Sequence, residues 1–197
     1  MPADAAPEIL LVRHGETEWS RAGRHTGRTD VPLTEAGRSQ ARRLAGRLAG
    51  RSYARVLTSP LGRARETCLL AELGGGAEVR AELAEWDYGD YEGRTTADIR
   101  RERPGWTVWR DGCPGGETAD EVATRLQPLM AELVASDGDI AIFAHGHVLR
   151  VLAARWIELP AVGGARLALG TAALSVLGYE RETPVLRLWN DAGVVTG

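Results

Sequence analysis

Apolar residues fall along this chain in two rhythms, short unbroken runs and longer stretches with apolar positions three or four apart. The unbroken runs read as buried strands and the spaced ones as helices. Ile9 to Val12 is the first strand, Ala54 to Thr58 the second, Glu78 to Arg80 a short third and Asp139 to Ala144 a fourth. Thr171 to Tyr179 and Val185 to Trp189 close the chain as two strands joined around Glu182-Thr183-Pro184. Between them, Thr34 is placed to cap a helix over Glu35–Leu48, whose apolar face is Ala41, Leu44, Ala45 and Leu48. Ser59 caps the next expected helix, with Pro60 at its first position and Arg63 on its first turn. Thr17 is placed to cap a short helix at Glu18–Arg21. Further helices are expected near Thr95–Arg103, over Glu117–Ala135 with a kink at Pro128, and over Val148–Ile157. Gly74-Gly75-Gly76 is a turn, and 86–116 is an irregular excursion with the short helix inside it. Strands alternating with helices predict an α/β fold, a three-layer α/β/α sandwich around a mostly parallel central sheet.

Composition narrows the picture. At 197 residues the chain is expected to form a single domain, 1–197, with an ample core. A net charge of −3 argues against a nucleic-acid binder driven by overall charge. Every basic residue is arginine, which with the abundant Ala and Gly suggests a GC-rich genome. Met1 to Pro7 lacks the basic and apolar parts of a leader, and the most apolar long stretch, Ala161 to Leu177, carries Arg166 and several glycines. No membrane association is expected. Cys68 and Cys113 show no metal-type spacing; reduced thiols in a cytoplasmic protein are the expectation, with a disulfide between them the alternative. Nothing in the sequence fixes an oligomeric state, and a homodimer is carried only as a guess.

The chemistry is concentrated where two strands stop. One ends in Arg13-His14-Gly15, the other in His145-Gly146-His147. In open α/β sheets ligands bind outside the carboxyl ends of the strands. An imidazole is a competent nucleophile at neutral pH, because its neutral form is well populated. Guanidinium groups match phosphate oxygens with a planar fork. The adjacent glycine is expected to let the backbone approach a ligand closely.

These residues resemble the histidine phosphatase superfamily, also called phosphoglycerate-mutase-like. Arg13-His14-Gly15 matches its hallmark triplet. Ser59-Pro60-Leu61-Gly62-Arg63 places Arg63 on the second phosphate-binding arginine, and Leu83-Ala84-Glu85-Trp86-Asp87-Tyr88-Gly89 places Glu85 on the proton donor. Ala144-His145-Gly146-His147 supplies the second histidine, and Thr26-Gly27 and Leu33-Thr34-Glu35-Ala36-Gly37 match in type and order. The resemblance implies the phosphoglycerate-mutase-like sandwich. It also implies a phosphohistidine mechanism: His14 as nucleophile, Arg13, Arg63 and His145 around the phosphoryl oxygens, and Glu85 as acid and base. Ser20, Thr26, Gly27 and His147 are the expected further substrate contacts. Ser20 stands where many members carry Asn, and His147 where mutase-like members usually have Asn; both departures resemble a subgroup of bacterial acid and sugar phosphatases.

The expected substrate is a small-molecule phosphomonoester, with no cofactor and no metal. Arg94, Arg100, Arg101, Trp106, Trp109 and Arg110 are read as the wall selecting the alcohol, although these arginines have Asp98, Glu102 and Asp111 nearby as alternative partners. Two other functions compete. A cofactor-dependent phosphoglycerate mutase would share the His14 chemistry, but mutases of the family are longer and carry Arg-His-Tyr where this chain has Trp86-Asp87-Tyr88. A non-catalytic binder of phosphorylated ligands would be marked by loss of His14, Glu85 or an arginine, and all are present.

Overall fold

The computed structural model describes residues 7–193; residues 1–6, most of the segment that lacks leader character, and residues 194–197 lie outside the described residues. Six strands, β1 (Ile9–Arg13), β2 (Arg55–Thr58), β3 (Glu78–Val79), β4 (Ile140–Ala144), β5 (Leu174–Glu180) and β6 (Thr183–Asp191), form one sheet in the order β3-β2-β4-β1-β5-β6. Neighbouring pairs among β1 to β4 are parallel, and β5 is antiparallel to both β1 and β6. The sheet is therefore mostly parallel, as its continuous apolar strands require when both faces are covered.

Successive side chains of β1 feed two cores. Leu10 and Val12 pack with Leu44 and Leu48 of α2 (Glu35–Leu48) and Cys68 of α3 (Gly62–Leu70). Ile9 and Leu11 face the opposite layer, which holds Leu126 and Leu129 of α6 (Ala119–Val134) and Leu149 and Leu152 of α7 (Gly146–Trp156). The remaining helices are α1 (Glu18–Arg21), α4 (Thr96–Glu102) and α5 (Val108–Asp111). Thr17, Thr34, Thr95, Thr107 and Thr118 each cap a helix through the side chain. Among the described residues no helix is long and apolar enough to cross a membrane.

Several local expectations change. Ser59 does not cap α3: its Oγ accepts from Leu61 N, and the exposed end of the helix is held by Asp30, whose carboxylate accepts from Gly62 N at 2.6 Å. A carboxylate suits a helix N-terminus better than a hydroxyl, but this one arrives from a distant loop. β6 starts earlier than its apolar run and includes Pro184, tolerated because β6 is an edge strand. The helix α5 lies unannounced inside the 86–116 excursion. Gly15 is glycine for a reason other than ligand approach. A Cβ there would stand 2.4 Å from the carbonyl oxygen of Gly37, and one on Gly37 would stand 2.1 Å from that of Glu16. The loop after β1 and the start of α2 thus touch backbone to backbone. Cys68 and Cys113 are free and buried, and burial pushes both thiols up to about 12.

Candidate active site

Strand register builds the site. β1 and β4 are parallel with Arg13 opposite Ala144, so the next residues, His14 and His145, emerge side by side at the carboxyl ends. Their rings lie 5.1 Å apart, edge to face. β2 flanks β4 with Thr58 opposite Phe143, which brings Ser59 Oγ to 2.7 Å from His145 Nε2.

The hydrogen bonds assign the tautomers. His14 Nδ1 is 2.7 Å from the carbonyl of Gly15, which can only accept, so Nδ1 carries the proton and Nε2 a free lone pair. Burial, then the charges of Arg13 and Arg63, hold the His14 pKa well below the usual histidine range. The ring is neutral and nucleophilic at pH 7. His145 Nδ1 accepts from Arg63 Nε at 3.2 Å, so its Nε2 proton goes to Ser59.

Arg63 is fully buried, and the peptide segment that the Thr26-Gly27 motif marks explains why it can be. The carbonyls of Thr26, Gly27 and Thr29 accept from its guanidinium at 3.1, 2.9 and 2.8 Å. Glu92 anchors that segment by accepting from the amides of Gly27 and Thr29. Thr26 and Gly27 therefore meet Arg63 through their backbones, and Thr26 also lines the pocket. Arg13 donates to the carbonyl of Leu169 at 2.6 Å. Among the described residues, its Nε is the one buried side-chain polar atom with no hydrogen-bond partner. Gly146 leaves room for it, since a Cβ there would come within 3.3 Å of that atom.

Glu85 is buried at the N-terminus of α7. Oε1 accepts from Trp86 N and Val148 N, both at 2.9 Å, and Oε2 accepts from His147 N at 3.0 Å. This carboxylate explains why α7 starts at Gly146, two residues before its expected start. Behind it, Arg125 donates to the carbonyls of Glu82 and Glu85 and pairs with Glu117 at 2.6 Å. Glu117 in turn accepts from Asp87 N and, through its carbonyl, from the Trp86 indole. His147 Nδ1 shares a 2.6 Å hydrogen bond with the Tyr88 hydroxyl. Ser20 lines the pocket but spends its hydroxyl on the cap of α1, donating to the Thr17 carbonyl and accepting from Thr17 N.

The pocket above His14 has a volume of about 380 Å³ and includes Arg13, Glu85, Tyr88, His25 and His147 in its walls. The excursion contributes Arg100, Trp106 and Trp109. The other arginines expected there turn away: Arg94, Arg101 and Arg110 pair with Glu102, Asp98 and Asp111. Trp106 is a buried anchor whose indole donates to the Gly112 carbonyl, whereas Trp109 is only half-buried. Among the described residues, no group of three or more His, Cys, Asp or Glu is placed to hold a metal ion.

All four histidines have pKa values lowered chiefly by burial, and for His25 the value is about 4. Unfolding lets each return to about 6.5 and take up a proton. Stability is therefore fully present above about pH 6.5 and declines as pH falls toward the folded values. His25 alone accounts for about 2 kcal/mol lost between pH 7.5 and 5. Urea unfolding across this range should show the decline, and His25→Gln should make it shallower by about 2 kcal/mol while the other three histidines keep the rest; a flat wild-type curve would contradict the burial argument.

With this geometry in place, comparison with known proteins identifies the class. Residues 9–192 match the model of the histidine phosphatase superfamily (branch 1), and the chain belongs to that superfamily. It is 45% identical over 188 residues to an acid phosphatase of Mycobacterium tuberculosis, covering 91% of this chain and 92% of that protein. It is 39% identical over 191 residues to the sedoheptulose 1,7-bisphosphatase of Saccharomyces cerevisiae, covering 78% of this chain and 68% of that one. The solved structure of an open-reading-frame product from M. tuberculosis superposes with a TM-score of 0.87 at 42% identity, over 94% of this chain and 97% of that chain. The protein is a histidine phosphatase, a phosphoric monoester hydrolase.

Proposed function

We propose that the chain is a metal-independent phosphomonoesterase, acting in the cytoplasm on a small phosphorylated metabolite such as a sugar phosphate, through a phosphohistidine on His14. Residues 1–197 act as one catalytic domain, with 86–116 selecting the alcohol. The observation that carries this reading is the bare Nε2 of His14, fixed by the Gly15 carbonyl beside an Arg13 Nε without a partner.

His14 Nε2 attacks phosphorus as the ester P–O bond breaks, and Glu85 gives a proton to the departing alkoxide. Oε1 already accepts two N–H bonds and Oε2 one, so Oε2 is the oxygen with capacity to hold that proton. Water then attacks phosphorus, Glu85 takes its proton, the P–N bond breaks and inorganic phosphate leaves. Arg13 and the buried charge of Arg63 stabilise the phosphoryl oxygens, and His145 supplies the Nε2 proton now given to Ser59.

The test is phosphate release, in chelator, from an aryl phosphate and a panel of sugar phosphates, phosphoglycerates and nucleotides. Release unaffected by chelator is expected. Isomerisation of phosphoglycerate without release would favour the mutase, and silence in both assays from folded protein would favour a non-catalytic binder.

A further inference from the structure

We propose that Glu92 is a positioning residue for the phosphoryl site: it fixes the Thr26–Gly27 peptide so that the backbone holds Arg63, and through Arg63 the ring of His145. The role rests on the phosphatase function proposed above, and adds to it a residue that does not line the pocket.

A buried guanidinium is tolerated only where acceptors surround it. Four of the five N–H groups of Arg63 are committed. Nε donates to His145 Nδ1, Nη1 to the Thr29 carbonyl, and Nη2 to the carbonyls of Thr26 and Gly27. The aim of Arg63, and with it the tautomer of His145, therefore depends on where three carbonyls of one loop point.

That direction is set from the other side of the loop. A trans peptide is planar, with its N–H and C=O pointing opposite ways, and the Thr26–Gly27 unit is trans. Both oxygens of Glu92 accept from Gly27 N at 3.0 Å, so the Thr26 carbonyl of the same unit is turned onto Arg63. Oε1 also accepts from Thr29 N at 3.1 Å, a second point of hold. Among the described residues, no other side chain accepts from an amide of 26–29. The fit is close: a Cβ on Gly27 would stand 2.7 Å from Glu92 Oε2 and 2.6 Å from the Trp86 carbonyl oxygen. Arg28 pairs with Asp87 at 2.7 Å, but its guanidinium is largely exposed and holds the loop weakly. With Glu92 withdrawn, the Thr26–Gly27 peptide can rotate and turn its N–H toward a buried cation. Arg63 then shifts, and His145 with it.

Two substitutions separate reach from charge. Glu92→Asp keeps the charge but shortens the side chain by a methylene, drawing the carboxylate back from Gly27 N. Glu92→Gln loses the charge and keeps the reach. Oε1 alone accepts from both amides, and a glutamine oxygen can stand there once its NH2 swings clear of Gly27 N. Inorganic phosphate is the probe, titrated calorimetrically and used to inhibit aryl phosphate hydrolysis. Glu92→Asp should weaken phosphate binding by at least about tenfold and lower kcat/KM by about 10- to 100-fold, with Glu92→Gln within about threefold of wild type. Gly27→Ala pushes the loop off an unaltered Glu92 and should weaken phosphate binding likewise; it decides the matter if Glu92→Asp does not fold. Leu48→Ala, which opens the core at the end of α2 away from the site, is a destabilised reference whose phosphate affinity should match wild type. Unchanged phosphate affinity in folded Glu92→Asp or Gly27→Ala, or equal losses in Glu92→Asp and Glu92→Gln, overturns the positioning role and leaves the phosphatase function standing. A wild type that binds phosphate but hydrolyses no ester removes the phosphatase function, and the calorimetric comparison still decides the role of Glu92. Neither binding nor hydrolysis in wild type removes both.

Discussion

His14→Ala is expected to lower kcat/KM for every phosphomonoester by at least about a thousandfold, the scale on which loss of a covalent nucleophile removes the stepwise route. The size reflects the position of the ring. Its Nδ1 proton is tied to the Gly15 carbonyl, so Nε2 presents a lone pair without any prior proton transfer. Burial and two nearby arginine charges keep it in that form, so the acidic limb of the rate profile belongs below the ordinary histidine pKa. Two further readouts separate chemistry from folding. Wild type quenched in alkali during turnover of a labelled substrate should retain label as a phosphoramidate, which acid then releases; the variant should retain none. Far-UV spectra and thermal midpoints should stay close to wild type, since alanine removes no charge and leaves Thr67 Oγ1 accepting from Gly15 N. A folded His14→Ala enzyme within tenfold of wild type would exclude His14 as the nucleophile.

The legibility of the site in the sequence divides along a physical line. Strand ends carry short-range information: an apolar run that stops at Arg13-His14-Gly15 marks both the strand and the side chains it delivers at its carboxyl end. Because β1 and β4 are both continuous apolar runs, the sequence pointed to the pairing of His14 with His145, and register then fixed their separation. The supporting groups were not legible, because each reaches its target across a long stretch of chain. Asp30 closes α3, Glu92 holds the amides beneath Arg63, and Arg125 with Glu117 braces the backbone on either side of Glu85. Asp30, Arg125 and Glu117 each read in the sequence as an ordinary surface charge. The excursion shows the same limit, since nothing in the spacing of Arg94, Arg100, Arg101 and Arg110 says which one lacks an acidic neighbour. Ser20 shows the opposite case, a residue expected to donate to substrate whose hydroxyl is drawn into a local capping box.

Glu85→Gln provides the second large effect, and its signature is dependence on the leaving group. An alkyl or sugar alkoxide is a poor leaving group and needs a proton as the P–O bond breaks, whereas an aryl oxide does not. Kcat/KM for a sugar phosphate should therefore fall by about 10² to 10⁴, the usual range for loss of a general acid, while that for an aryl phosphate with a good leaving group falls far less. Hydrolysis of the phosphohistidine also loses its base, so with the aryl substrate a burst of aryl oxide should precede slow turnover. The substitution has a structural cost as well. A glutamine oxygen placed at Oε1 still accepts from Trp86 N and Val148 N, but its amide then points a donor at His147 N. One buried amide is left unsatisfied, a loss of about 1–3 kcal/mol that unfolding measurements should register. That loss acts on both substrates alike, so it cannot produce the split between them. Equal losses on sugar and aryl phosphates, with no burst, would show that Glu85 serves α7 as a cap and that the proton comes from another group.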